Sequence, residues 1–169
     1  RHGNCLLYSV AKLIYKNPSH RSVDDMRLKL QSYISNSNVE SIYASLIFPT
    51  ELYTSQYGNV MIHNVDELKR FIQSKYFLSY WLSEYELQSV ATLFNVDLTI
   101  HYISKGRGDM FGNSVNMYVS KGSVTGRKVA NVLYYEGHYS SICKKDAVIL
   151  EHKPLRADSI KSANISSHD

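Results

Sequence analysis

Residues Ser83–Ile103, SEYELQSVATLFNVDLTIHYI, change their period partway along. Ser83 with Glu86 three residues later is the pattern of a capping box, and Leu87, Val90, Ala91 and Phe94 follow at i, i+3, i+4 and i+7. Asn95 ends that helix. From Leu98 the period becomes two, with Leu98, Ile100 and Tyr102 alternating against Thr99, His101 and Ile103. Helix signals upstream and strand signals downstream predict an α+β domain, with helices packed on one mainly antiparallel sheet.

Working towards the N-terminus, Asn64 with Glu67 starts a helix carrying Leu68, Phe71 and Ile72. Residues 49–63 read as irregular, with a turn at Gly58-Asn59 and a short apolar stretch, Val60–Ile62, suited to a strand. Residues 6–48 read as a helical lobe. Leu7, Val10, Ala11 and Ile14 form one stripe, ended by Asn17-Pro18. Ser22 is expected to open a second helix, with Asp25 as capping partner and Val23, Met26, Leu30, Tyr33 and Ile34 buried. Asn38 caps a third carrying Val39, Ile42, Tyr43, Leu46 and Ile47, closed by Pro49.

Towards the C-terminus, Ser104–Ser114 reads as a Gly-rich loop and Val115–Val119 as a strand. Lys121–Lys128 is a basic turn. Val129–Tyr135 and Tyr139–Cys143 then form a hairpin that bends at Glu136-Gly137. The domain is expected to end at residue 153, leaving 154–169 as a polar, loosely ordered tail.

At 169 residues the chain suits a single domain large enough for a core and a cleft. It has no apolar run of membrane-spanning length, and it opens at Arg1 without a charged-then-apolar leader, as an excised fragment does. Cys5 and Cys143 are too few for a disulfide framework or a four-cysteine zinc site, and free thiols fit a reducing cytosol. The net charge of +4 comes from scattered Lys and Arg, which does not argue for nucleic acid. Arg107-Gly108-Asp109, the phosphate-loop-like stretch Gly122–Lys128 and the sequon at Asn164 each lack the context that would give them a function.

The strongest chemical signal is Gly3-Asn4-Cys5-Leu6-Leu7. It sets a thiol at the first turn of a helix, where unsatisfied N–H groups and the helix dipole favour a thiolate and an oxyanion. A cysteine nucleophile needs a base, and His138 opens the last strand between Gly137 and Tyr139, on the rim of the sheet.

These segments together resemble the ovarian-tumour (OTU) cysteine proteases, whose signature is Asp-Gly-Asn-Cys-Leu-Phe. Trp81 with Glu86-Leu87, Ala91 and the strand 98–103 is similar to that family's Trp-Gly…Glu-Leu…Ala segment. Leu133–Ile142 with His138-Tyr139 resembles its closing strand. The resemblance implies a papain-like OTU fold and a deubiquitinating thiol hydrolase that cleaves after the Gly-Gly terminus of ubiquitin or a ubiquitin-like modifier. It implies Cys5 as nucleophile, His138 as general base, and an oxyanion hole at His2, Gly3 and Asn4. Gly137 and Tyr139 would wall the channel for the modifier's tail. That tail is basic, so a carboxylate is expected beside it, from Asp109 or Glu136 before Glu84. Neither cofactor nor metal is implied, and the expected partner is the modifier with its conjugates, met by a monomer in the cytosol (a host's, for a viral or bacterial member).

Two positions depart from the family pattern. His2 stands where Asp is usual, and Ser140 stands where Asp or Asn orients the base. A Ser140 hydroxyl accepts an imidazole N–H bond but brings no charge to stabilise imidazolium. The alternative reading is therefore a ubiquitin-binding module on the same fold with weak or lost activity.

Overall fold

The computed structural model describes residues 4–54, 58–106, 110–142 and 155–156. Helices come first: α1 (Cys5–Ile14), α2 (His20–Ser35) and the single turn α3 (Val39–Ile42). A two-stranded antiparallel hairpin, β1 (Thr50–Thr54) with β2 (Gly58–Ile62), leads into α4 (Val65–Ile72), a 3-10 turn at Lys75–Leu78 and α5 (Glu84–Leu93). The remaining strands are β3 (Val96–Lys105), β4 (Met110–Tyr118), β5 (Lys128–Tyr135), β6 (His138–Ser141) and β7 (Leu155–Arg156). They form one sheet in the order β6-β5-β3-β4-β7. Three of its pairings are antiparallel and β3–β5 is parallel, so the sheet is mixed but mainly antiparallel.

One layer of helices covers one face of that sheet. Leu98 and Ile100 of β3 stand beside Ala130 and Val132 of β5, and all four join a core with Leu6, Leu7, Val10 and Ala11 of α1. α1 packs on β5 and β6 on one side and α2 on the other, while α5 lies on β3. Each fully buried aliphatic side chain in this layer contributes roughly 1.5–3 kcal/mol over exposure. That burial fixes α1, and with it Cys5, against the edge of the sheet.

Several boundaries differ from the sequence reading. α2 starts at His20, capped by Ser19, whose side chain and that of Ser22 satisfy each other's backbone amides. Ser22 is thus the reciprocal partner inside the first turn rather than the cap, a role usually filled by Glu or Gln. α3 ends at Ile42, and Ile47, expected above to lie on that helix, falls beyond it and is 82% exposed. Thr50–Thr54 and Gly58–Ile62 pair as antiparallel strands, where only Val60–Ile62 was expected to suit one. The Gly-rich stretch 104–114 is largely strand: β3 runs to Lys105 and β4 begins at Met110, pairing Lys105 with Phe111 and Ser104 with Gly112. Within the expected tail, Leu155 and Arg156 pair with Phe111 and Met110 as an added edge. The domain limit at 153 lies outside the described residues.

Candidate functional site

Cys5 is the first residue of α1 and is almost wholly buried. Asn4 precedes it in the N-cap position, yet its side chain makes no cap hydrogen bond to the helix. Its Oδ1 instead accepts two bonds from Arg27 of α2, from Nε at 3.0 Å and Nη2 at 2.7 Å. Arg27 Nη1 also donates to the Phe77 carbonyl at 3.3 Å. The guanidinium is 1% exposed. Burial lowers its pKa to about 10, against the opposing pull of Glu86, so it stays charged at neutral pH.

Glu86 carries that partner charge. It belongs to the capping box read from the sequence: its Oε1 accepts from the Ser83 backbone N–H at 2.6 Å and the Ser83 hydroxyl at 3.1 Å. The carboxyl is completely buried, and desolvation pushes its pKa up to about 7 despite those bonds and Arg27. Tyr43 and Tyr80 lie beside it, and burial first, then the Glu86 charge, raises both phenols. A buried polar cluster therefore runs from Ser83 through Glu86 and Arg27 to the residue next to Cys5.

The opposite wall is the β5–β6 hairpin. Its two-residue turn has Glu136 at φ 49° and Gly137 at φ 76°, the doubly left-handed conformation that suits the twist of adjacent strands. Tyr135 pairs with His138, Tyr134 with Tyr139 and Leu133 with Ser140. Side chains alternate along a strand, so His138 and Ser140 share one side of β6 and Tyr139 takes the other. Tyr139 is buried in the helix-side core, its ring 4.9 Å from that of Tyr134. The Cys5 thiol is near enough for its charge to contribute to the raised pKa of Tyr139, after burial and the neighbouring tyrosines. The fold thus brings Cys5 beside the residue that follows His138. Ser140 is also buried.

An open cleft of about 460 Å³ adjoins this wall, lined by Tyr53, Trp81, Glu84, Tyr102, Tyr134 and Tyr139 among others, with Gly137 at its edge. Trp81 and Tyr53 stack at 4.4 Å between ring centres and are 39% and 52% exposed. Five of the chain's 14 tyrosines line it. Glu84 is the carboxylate in the lining; Glu136 is an exposed turn residue, and Asp109 lies outside the described residues. His2, Gly3 and Cys143 also lie outside them. Among the described residues no cluster of His, Cys, Asp and Glu could hold a metal ion.

Arg27 was missed in the sequence reading, although a signal was present. It sits four residues after Val23 and three before Leu30, on the apolar stripe of α2, where a charged residue needs a buried partner.

No family model and no curated protein matches this chain in sequence. Solved structures do. The OTU domain of OTUD1 superposes with a TM-score of 0.53 at 17% identity, over 82% of this chain and 78% of that one. The viral OTU domain protease from Dera Ghazi Khan virus gives 0.49 at 16% identity, over 81% and 72%. The first likeness is one of fold: this chain has the α+β architecture of an OTU domain, helical N-terminal lobe included.

Proposed function

We propose that this chain is a cysteine-type hydrolase that removes ubiquitin or a ubiquitin-like modifier by cleaving the isopeptide bond after its Gly-Gly terminus. The observation that carries this reading is the aromatic cleft, lined by Gly137 and Tyr139 of the hairpin whose strand β6 packs against α1, the helix that Cys5 begins, on an OTU-type fold. Cys5 attacks the terminal glycine carbonyl, and amides at the start of α1 and in the preceding residues 2–4 stabilise the oxyanion. His138 takes the thiol proton and passes it to the departing lysine amine. It then deprotonates the water that hydrolyses the thioester. His138 and Ser140 share the side of β6 away from Tyr139, so in this reading the imidazole turns to Cys5 from the first residue of the strand, beside the Glu136-Gly137 turn. Ser140 orients the imidazole. The enzyme acts as a monomer in a reducing cytosol.

Ser140 is also what favours the second reading, a binding module without turnover, since a buried hydroxyl replaces the usual carboxylate or amide. Ubiquitin bearing a C-terminal electrophile separates the two. Mass spectrometry is expected to find an adduct on Cys5 that is absent from Cys5→Ala. Binding without any adduct would establish the second reading, and neither binding nor adduct would overturn both.

A further inference from the structure

Asn4 differs from three other caps of α-helices. Ser19, Asn38 and Asn64 are extended, and each accepts an amide of its own first turn. Asn4 has ψ 4° and gives its side-chain oxygen to Arg27 instead. The amides at the start of α1 are therefore left without the side-chain cap that an Asn ordinarily supplies. Arg27 is an expensive residue for this task, because its guanidinium is buried on a helix stripe otherwise filled by Val23, Met26, Leu30 and Ile34. A side chain that served only to fill this space would be apolar, like those four. The two bonds to one oxygen, a third to the Phe77 carbonyl and the nearby Glu86 charge hold the guanidinium in one orientation.

We propose that Arg27 is a positioning residue for hydrolysis: by holding the Asn4 side chain it fixes the backbone that enters Cys5 and keeps the first amides of α1 open to the reacting carbonyl oxygen. This inference rests on the nucleophile assigned to Cys5 under the proposed function. Its effect falls on the charge-developing step rather than on tail binding, because the cleft that receives the tail does not include Arg27.

The test uses Arg27→Met, Arg27→Lys, Asn4→Ala and the Asn4→Ala/Arg27→Met double variant, all carrying Cys143→Ala so that Cys5 is the sole thiol. Turnover of a ubiquitin C-terminal fluorogenic amide, alkylation of Cys5 by iodoacetamide at pH 7 and melting temperature are measured for each. Arg27→Met is expected to lower kcat about 10–100-fold with KM within about threefold, and to slow alkylation several-fold. Arg27→Lys, which keeps the charge but loses the fork, should recover part of both. Arg27→Met added to Asn4→Ala should cost no more than about threefold, since the two act through one contact. Multiplying effects, or a lower melting temperature with kcat per folded molecule unchanged, would overturn the proposal. If Arg27→Met does not fold, Asn4→Ala and Arg27→Lys decide, and unchanged kcat in both overturns it. A parent protein that turns over no ubiquitin conjugate sinks the proposed function instead; alkylation then decides for Arg27, unchanged rates counting against it.

Discussion

Cys5 begins a helix whose entry is held from behind by a side chain 23 residues away, whereas His138 begins a strand whose place depends on the two residues before it. The cysteine wall rests on Arg27, Glu86 and Ser83, all from elements packed across the core. The histidine wall rests on a tight turn at the sheet's edge. Buried polar groups fix one geometry at a cost in desolvation, while a tight turn fixes register cheaply. The difference teaches that a nucleophile and its base can be positioned by different devices.

The largest expected effect comes from the histidine wall. His138→Ala should lower kcat on the order of 10³-fold, about 4 kcal/mol, because thiol deprotonation and amine protonation both fail. Steady-state turnover of a ubiquitin conjugate checks it, and near-normal turnover would remove His138 as the base.

The cysteine wall is expected to announce itself in stability against pH. The folded state raises the Glu86 carboxyl from 4.5 to about 7, so between those values the folded chain binds more protons than the unfolded one. Stability contributed by this group is greatest below about pH 4.5 and is lost as pH rises to about 7, on the order of 3 kcal/mol. Glu86→Gln keeps an acceptor for the Ser83 amide but does not titrate. Urea unfolding at pH 4.5 and 7.5 should show the variant gaining on the wild type by roughly that amount, and parallel curves would refute the assignment.

Ser140 tests how the histidine wall is finished. If its hydroxyl orients His138, Ser140→Ala should lower kcat/KM about 5–50-fold, or about 1–2.3 kcal/mol, the scale of one hydrogen bond to a group that becomes charged. Ser140→Asp should hold or raise activity by stabilising imidazolium. A silent Ala with a damaging Asp would show that this buried position serves packing.

The same contrast explains what could be read from the sequence. Local rules sufficed for the capping box of α5, the caps Asn38 and Asn64, the alternation in β3 and the turn at Glu136-Gly137, because each is settled within four residues or along one strand. The Ser19–Ser22 box escaped because two serines do by reciprocity what Glu usually does. The first half of β4 was hidden because Gly112 and its polar neighbours look like a loop, and only pairing with β3 makes them strand; the second half was read as Val115–Val119. The parallel β3–β5 pairing and the reach of Arg27 to Asn4 join residues about 30 and 23 apart, and no local period encodes either. Within the candidate site, the helix start at Cys5 and the strand start beside His138 were legible, but the buried support behind Cys5 was not.

The turn itself should respond modestly. A Cβ at Gly137 meets nothing within 4 Å, so Gly137→Ala costs only its left-handed backbone, about 1 kcal/mol. Glu136 has φ 49° without being glycine, and Glu136→Asn, which suits that conformation, should stabilise by a few tenths of a kcal/mol. Thermal melts check both. An unchanged melting temperature for Gly137→Ala would mean that the turn relaxes freely.

The smallest effect concerns the carboxylate of the cleft. Asp109 and Glu136 ranked ahead of Glu84 from sequence alone, yet Glu84 is the acidic side chain in the lining, together with Tyr85, Tyr134 and Gly137. It lies in the first turn of α5, where the helix dipole already favours a negative charge, so Glu84→Gln should cost little in stability. A basic tail passing along the cleft would meet Glu84 away from the scissile carbonyl. A charge contact there acts about equally on bound substrate and transition state, which moves KM and leaves kcat alone. Both partners remain partly solvated, so the expected rise in KM is two- to fivefold, about 0.4–1 kcal/mol, shrinking further in 0.5 M salt. Glu136→Gln is the control, since an exposed turn residue off the lining should leave KM unchanged. The reverse pattern, Glu136→Gln raising KM and Glu84→Gln silent, would move the tail out of the aromatic cleft and towards the tip of the hairpin.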